Sequence, residues 1–402
     1  MENTFIARQP IYDKHNQLIG YELLYRDGDT DVAVFDDGKM ASSNVIMNGF
    51  IDIGIDGLVG SSLAFINITK EFILDDSLTP MYEKQTVLEI VEQIEPTSEI
   101  VEGVKRLKNK GYKIALDDFQ YSPDYDALIE LADFVKIDVL ELSNDDVIKQ
   151  LKFLEPFDVK TVAEKVETHE MYDFCTQMGF DYFQGFHFCK PQLVSQRHIP
   201  ANKMVVLQLF SELENPDLKF ADIEKLLAHD ATLTFKVLRY VNSAAFAQRK
   251  EIESIRDALA LVGTNTIKKW VSLFLTAQLS DGKPQTLLIT ALVRARMCER
   301  VMEITGKNSS QMFTVGLLSL LDALMDIPMA DLLDELSLST EIKLALLSHE
   351  GEFGQILKNA ILYEQGQWSE LDKNSIDAPL YLSCYMDAVK WADATIAILS
   401  EN

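Results

Sequence analysis

Six short apolar runs in the first half of the chain each deliver a side chain bearing a hard oxygen. These are Glu22 in Gly20-Tyr-Glu-Leu-Leu-Tyr-Arg26, Asn67 in Phe65-Ile-Asn-Ile68 and Glu89 in Val87-Leu-Glu-Ile-Val-Glu92. Asp117-Asp118 in Ile114-Ala-Leu-Asp-Asp-Phe119, Asp138 in Val135-Lys-Ile-Asp138 and Glu164 in Val162-Ala-Glu-Lys-Val-Glu167 complete the series. Carboxylates and an amide without His or Cys favour Mg²⁺ or Mn²⁺ over Zn²⁺. Such ions activate water and steady the charge that develops as a phosphodiester is cleaved. Glu22, Asn67, Glu89 and Asp117 could supply oxygens to one ion. Asp117 could bridge to a second, which Asp118 and Glu164 would complete. Lys136 lies two residues before Asp138 on the same strand, so the two point the same way. An ammonium there could lower the pKa of an activated water or help remove its proton.

Each residue taken singly has a plainer reading. A lone carboxylate after an apolar run is ordinarily a solvated strand end or a helix cap, and Lys136 could simply pair with Asp138. Asp117-Asp118 is more specific, because adjacent acids at a strand end repel each other unless a cation intervenes. The weight lies in having the whole set in strand-end order.

The elements that must position them alternate. Strands are expected over Leu63–Ile68, Thr86–Val91, Lys113–Leu116, Phe134–Val139 and Lys160–Ala163. Between them lie helical stretches such as Glu99–Lys110, with Ile100, Val104 and Leu107 on one face. Repeated βα units predict a parallel sheet, and the rim of oxygen ligands predicts its closure into an α/β TIM-like barrel. From Met204 onward the periodicity is helical, as in Asp222–Leu227, Leu233–Val241, Ile255–Val262 and Thr266–Leu275. The boundary is placed in Pro191–Lys203, giving a barrel over residues 1–195 and an all-α domain over 196–402.

Composition sets outer limits. At 47% apolar and 25% charged residues the chain reads as globular. Its 37 basic and 63 acidic side chains leave a formal net charge of -26. Polymeric phosphate needs clustered Lys and Arg, so nucleic acid is not an expected partner. A small anion remains compatible, because bound metal reverses the local field. Cys175, Cys189, Cys298 and Cys384 are dispersed and read as thiols in a reducing compartment. No leader precedes Phe5 and no apolar run approaches a membrane span, so a cytoplasmic protein without membrane association is expected.

The first 195 or so residues resemble the EAL domain. Glu22-Leu23-Leu24 with Arg26 stands where that family has Glu-Ala-Leu followed by Arg. Asn67 matches its metal-binding Asn, Glu89 with Glu92 its Glu-x-x-Glu, and Asp117-Asp118-Phe119 its Asp-Asp-Phe. Lys136-Ile137-Asp138 matches Lys-Ile-Asp, Glu164-x-Val166-Glu167 matches Glu-x-Val-Glu, and Gln184-Gly185-Phe186 its Gln-Gly-aromatic. The resemblance implies a TIM-like barrel that opens cyclic di-GMP to linear pGpG with one or two Mg²⁺ or Mn²⁺ ions. It places Glu22, Asn67, Glu89 and Asp117 on the first ion, and Asp117, Asp118 and Glu164 on the second. Lys136 and Glu164 would activate water, Arg26 would meet the substrate phosphate and Gln184 would help position the site. Glu92, Asp138 and Glu167 would be supporting groups.

One departure follows Asp-Asp-Phe. Where the family has a Gly-Thr-Gly-Tyr-Ser-Ser loop that links metal occupancy to dimer contacts, this chain has Gln120-Tyr-Ser-Pro-Asp-Tyr125, without glycine. Glycine permits positive φ and mobility, and Pro123 opposes both. Two readings therefore stay open: an active phosphodiesterase, or a cyclic di-GMP receptor with little turnover. A homodimer is compatible with either.

The second half resembles the HDOD domain, a helical relative of the HD phosphohydrolases. The resemblance rests on His229-Asp230 and its continuation to Val241-Asn-Ser-Ala-Ala-Phe246, with Ile255–Gly263 and Val315–Asp322 in support. From Met204 onward this half offers only His229 and His349 as imidazole ligands, and Ser319-Leu320 stands where an active HD enzyme would carry His-Asp. It implies a signalling module with a protein partner rather than a second metal enzyme, with Asp230 as a helix N-cap.

Overall fold

A computed structural model describes residues 4–27, 55–75, 82–185, 189, 201–215, 218–228, 231–242, 252, 254–280, 282–306, 309–373 and 377–400. By internal contacts the chain divides into two units. The first comprises Met1–Phe188 with Leu362–Leu382, and the second Cys189–Ile361 with Ser383–Asn402.

The first unit is built on a closed barrel in the order β1-β2-β3-β4-β5-β6-β7-β8. Its strands are β1 (Thr4–Asp13), β2 (Leu18–Asp27), β3 (Leu63–Ile68), β4 (Thr86–Ile90), β5 (Lys113–Leu116), β6 (Phe134–Asp138), β7 (Lys160–Glu164) and β8 (Tyr182–Gln184). From β2 to β8 each pairing is parallel. The expected all-parallel sheet is corrected at β1, which runs antiparallel to both β2 and β8. The reason is the connection. A parallel return needs a crossover of a dozen or more residues, whereas only a tight turn separates these strands. Asp13 makes that turn: its side-chain oxygen accepts from the His15 and Gln17 amides, each at 2.8 Å, and Asn16 sits at φ 60°.

Alternation along the strands builds the interior in two layers. Ile11, Phe65, Val87, Ala115, Phe134 and Val162 form a buried apolar cluster. Strand side chains repeat with period two, so the residue two positions on faces the same way. That residue is Asn67 after Phe65, Glu89 after Val87, Asp117 after Ala115, Lys136 after Phe134 and Glu164 after Val162. The apolar layer is thus the floor on which the polar rim stands. On β2 the corresponding floor position is Gly20, where a Cβ would meet the Leu63 carbonyl oxygen at 2.7 Å and the Phe65 ring at 2.9 Å. Its absence gives that volume to Phe65, whose ring meets Phe134 edge-on at 5.2 Å.

Helices cover the outside of the parallel strands. In Ser98–Asn109 the Thr97 hydroxyl caps the first turn by accepting from the Ile100 amide, Arg106 and Lys108 sit in the last turn, and Ile100, Val104 and Leu107 are buried. Thr168 caps His169–Met178 in the same way and Gly179 ends it in the left-handed conformation.

The segment Leu362–Leu382 belongs to this unit despite its place late in the chain. Tyr363 is fully buried, accepts a 3.4 Å hydrogen bond from the Ile6 amide and meets Trp368 edge-on at 5.1 Å.

The regular elements described in the second unit are all helices. Gln285–Ile304 buries thirteen of its side chains, and Thr264–Leu279 buries nine. His229 and Asp230 lie outside the described residues, as does the Asn-Ser-Ala-Ala-Phe stretch beyond Asn242. Leu320 is buried, and Ser319 accepts from Arg294 at 3.3 Å while donating to the Gly316 carbonyl at 2.7 Å. Among the described residues no helix is long and apolar enough to cross a membrane.

At the barrel's closing turn, Gly185 has φ 151°, and a Cβ there would overlap the backbone of Val166. Gly185→Ala should therefore destabilise the protein by roughly 1–3 kcal/mol, read as a lower denaturation midpoint in urea with an unchanged slope.

Candidate metal centre

The rim side chains converge on one cation. Lys136, wholly buried on β6, places its Nζ 3.0 Å from Glu22, 2.7 Å from Glu89, 2.8 Å from Asp117 and 2.8 Å from Glu164. Those carboxylates come from β2, β4, the end of β5 and β7, so the barrel's closure is what brings them together. Backbone bonds beyond the strand ends hold the fourth side of the rim. The Asp117 amide donates to Ile90 O and the Phe119 amide to Lys136 O, each at 3.0 Å. Between them Asp118 takes φ 44°, which turns it out of the ladder.

Glu22 is the hub of the neutral contacts. Its Oε1 accepts from Asn67 Nδ2 at 3.3 Å, and its Oε2 accepts from Gln184 Nε2 at 2.7 Å as well as from Lys136. Gln184 also donates to Gln9 Oε1 at 3.1 Å.

One ammonium cannot satisfy this cluster. It has three N–H groups for four carboxylates. Glu89 Oε1 and Asp117 Oδ1 lie within ion-pair distance of Lys136 but accept no hydrogen bond of proper geometry, and Glu89 Oε2 and Asn67 Oδ1 are also buried without a donor. Burial pushes the pKa values of Glu89 and Glu164 well above the ordinary carboxylate range, against the pull of Lys136 and with repulsion from the neighbouring acids. Burial works against the charge on Lys136, yet Asp117, Glu164, Glu22 and Glu89 together raise its pKa well above that of a free lysine. Lys136 is accordingly a fixed cation throughout the neutral range.

These properties fit a hard divalent ion. The donors are all oxygen, and buried acceptors stand unused at the point where the strands converge. As the side chains stand, no group of three or more His, Cys, Asp or Glu among the described residues is arranged to hold a metal. They turn on Lys136 instead, so an ion would share the cluster with that ammonium.

The remaining predicted residues are less central. Asp138 faces inward but turns to Lys165 Nζ at 2.5 Å, while its Oδ1 accepts from the Leu140 and Glu141 amides at 2.8 and 3.2 Å. Asp118 stands 3.8 Å from the same Lys165. Glu92 is exposed, and with Asp117, Asp118, Phe119 and Tyr125 it lines a cavity of about 320 Å³ beside the rim. Glu167 is half-buried in the loop after β7. Arg26 is on β2 opposite Phe5, with its side chain outside the described atoms, and Phe186 lies outside the described residues.

Gln9 and Lys165 were not expected. Gln9 had a signal, since it lies two positions from Ile11 on the inward face of β1. Lys165 had only its place between Glu164 and Val166.

The Gln120–Tyr125 segment lies at the surface, with Gln120, Pro123 and Asp124 exposed, but is tied down at Tyr121. Pro123–Tyr125 forms a 3₁₀ turn, Tyr121 stacks on Phe153 at 4.5 Å and the Tyr121 amide donates to Gln150 at 2.8 Å.

Comparison with known proteins matches the description of the EAL domain to residues 39–191 and that of the HDOD domain to residues 199–338. The cyclic di-GMP phosphodiesterase CdgJ of Vibrio cholerae is 32% identical over 356 residues, covering 87% of this chain and 82% of that protein. The uncharacterized protein YuxH of Bacillus subtilis is 31% identical over 402 residues, covering 96% and 98%. Among solved structures, an EAL domain protein from Listeria monocytogenes is 23% identical, with a TM-score of 0.37 over 46% of this chain and 87% of that one.

Two outcomes follow from the buried charges. A carboxyl group whose folded pKa is raised contributes stability below its unfolded value, near 4.5, and loses it as pH rises through the folded value. Metal-free protein should therefore lose stability as pH rises from about 4.5 toward neutrality. Glu89→Gln should flatten that slope, and saturating Mn²⁺ should reverse the loss, as read by calorimetry across pH. Lys136→Met should cost the metal-free protein roughly 3–5 kcal/mol, the cost of leaving buried charge without its partner, with Mn²⁺ restoring more melting temperature to the variant than to wild type.

Proposed function

This chain belongs to the family of proteins that join an EAL domain to an HDOD domain, and on that premise we propose that its barrel hydrolyses cyclic di-GMP to linear pGpG. The observation that carries the reading is the convergence of Glu22, Glu89, Asp117 and Glu164 on one buried point, with acceptors left over for a divalent cation. The name of the Vibrio cholerae relative, 32% identical across most of both chains, supports the same reaction. Glu22, Asn67, Glu89 and Asp117 would hold a Mg²⁺ or Mn²⁺ ion, with Asp118 and Glu164 flanking it. When bound, the ion supplies Lewis acidity toward the phosphodiester and a more acidic water.

The chain's own groups do the rest. Glu164, on the rim 2.8 Å from Lys136 Nζ, would accept the proton of the attacking water. Lys136, held charged, offsets negative charge growing on the phosphoryl oxygens rather than acting as a base. Gln184 and Asn67 fix the Glu22 carboxylate between them. Arg26 would meet a phosphate of the substrate, and Glu92, Asp138 and Glu167 would support the rim. Water forms the new P–O bond, the bond to the 3′ oxygen breaks, and that oxygen takes up a proton.

The helical unit reads as a signalling partner, because Ser319 and Leu320 are committed to packing and hydrogen bonding. Cys175, Cys298 and Cys384 are buried as free thiols, which suits a reducing cytoplasm. A net charge of -26 argues against nucleic acid as a partner.

A second reading, a cyclic di-GMP receptor with little turnover, draws on the pinned Gln120–Tyr125 segment. Incubation with cyclic di-GMP and Mg²⁺ or Mn²⁺, with pGpG followed by chromatography, separates the two. Turnover should appear, stop with EDTA, and fall at least about 100-fold in Glu22→Ala, since even groups outside the ligand set cost up to that much. Tight binding without product in wild type would establish the receptor.

A further inference from the structure

The second cation position of a two-ion phosphodiesterase would need Asp117, Asp118 and Glu164 together. Asp117 and Glu164 are held by Lys136, each at 2.8 Å. Asp118 faces a different cation, the Lys165 ammonium, at 3.8 Å. We propose, resting on the phosphodiesterase reading above, that Lys165 carries the positive charge a second ion would bring to Asp118, so that the barrel binds one divalent ion rather than two.

Lys165 lies at the surface, its side chain 47% exposed, but its backbone and its partners are specific. It follows Glu164 directly and sits at φ 54°, in the left-handed region that side chains beyond glycine, Asn and Asp seldom occupy. Asp118 directly follows Asp117 and sits at φ 44°. Lys165 and Asp118, each next to a ligand candidate, thus take the same left-handed conformation and meet across the rim. Such conformations persist only where the surroundings over-determine them.

Here the surroundings do so. The Val166 amide donates to Gln184 O at 3.0 Å, and Gly185 packs against the Val166 backbone, which fixes the turn that carries Lys165. The head group is fixed as well. It contacts Asp138 Oδ2 at 2.5 Å, and Asp138 cannot swing away because its other oxygen holds the Leu140 and Glu141 amides. Asp138 is largely buried, its side chain only 9% exposed. The ammonium is therefore anchored on one acid and presented to another.

A divalent ion on Asp118 would meet this partly solvated charge at close range. Lys136 faces carboxylates of both ion positions alike, so it is the Lys165 charge at Asp118 that sets the second position apart. The structure thus assigns the position between Asp118 and Asp138 to a side-chain cation.

The test counts ions. Wild type, Lys165→Gly and Lys165→Arg are dialysed against excess Mn²⁺ and assayed by isothermal titration and elemental analysis. Lys165→Gly removes the charge and suits a left-handed backbone, so folding is not at stake. The expected result is one ion per chain in wild type and Lys165→Arg, and two in Lys165→Gly. One ion in all three, or two in all three, overturns the assignment of Lys165 while leaving the metal centre standing. No ion in any of them overturns both. Because the readout is stoichiometry rather than turnover, a protein that binds cyclic di-GMP without cleaving it still gives a decisive count.

Discussion

Four carboxylates around one buried ammonium form the interaction on which the first unit depends. Lys136 stands 2.7–3.0 Å from Glu22, Glu89, Asp117 and Glu164, each from a different strand or strand end. Without a cation their mutual repulsion in a low-dielectric interior would force the strands apart or the acids to protonate. Lys136 relieves part of that charge and leaves the remainder to a proton or a metal ion. The same imbalance that costs stability is what makes the point attractive to a divalent cation.

The floor beneath it explains why the imbalance can be tolerated. Phe65, Val87, Ala115, Phe134 and Val162 close the barrel interior to water and set the register of the residues two positions further on. A one-residue slip of any strand would send its ligand to the outer face. Packing in the lower layer therefore maintains the spacing of charges in the upper one. Gly20 and Gly185 mark where backbone or ring approaches too closely for a Cβ.

Much of this was legible in the chain, for identifiable reasons. Strand limits fall within one residue of expectation at β3 to β7, because short apolar runs ending in acids or turn residues leave little latitude. That Glu22, Asn67, Glu89, Asp117, Lys136 and Glu164 share one face also follows from period two. The direction of β1 did not follow, because alternation carries no polarity and only the Asp13–Gln17 turn encodes it. The place of Leu362–Leu382 in the first unit rests on contacts of high sequence separation, such as Ile6 with Tyr363, which helical periodicity does not reveal. Lys165 was hidden for a different reason. A lysine beside a glutamate reads as a solvated neighbour until its backbone conformation and its approach to Asp138 are seen.

The central claim is that a divalent ion enters the cluster around Lys136. Anomalous diffraction from crystals grown with Mn²⁺ tests it most directly. The account predicts a manganese peak bounded by Glu22, Asn67, Glu89 and Asp117, with the Lys136 ammonium moved aside from at least one of its carboxylates. Saturating Mn²⁺ with no peak at that point, and Lys136 still in contact with all four acids, would contradict it.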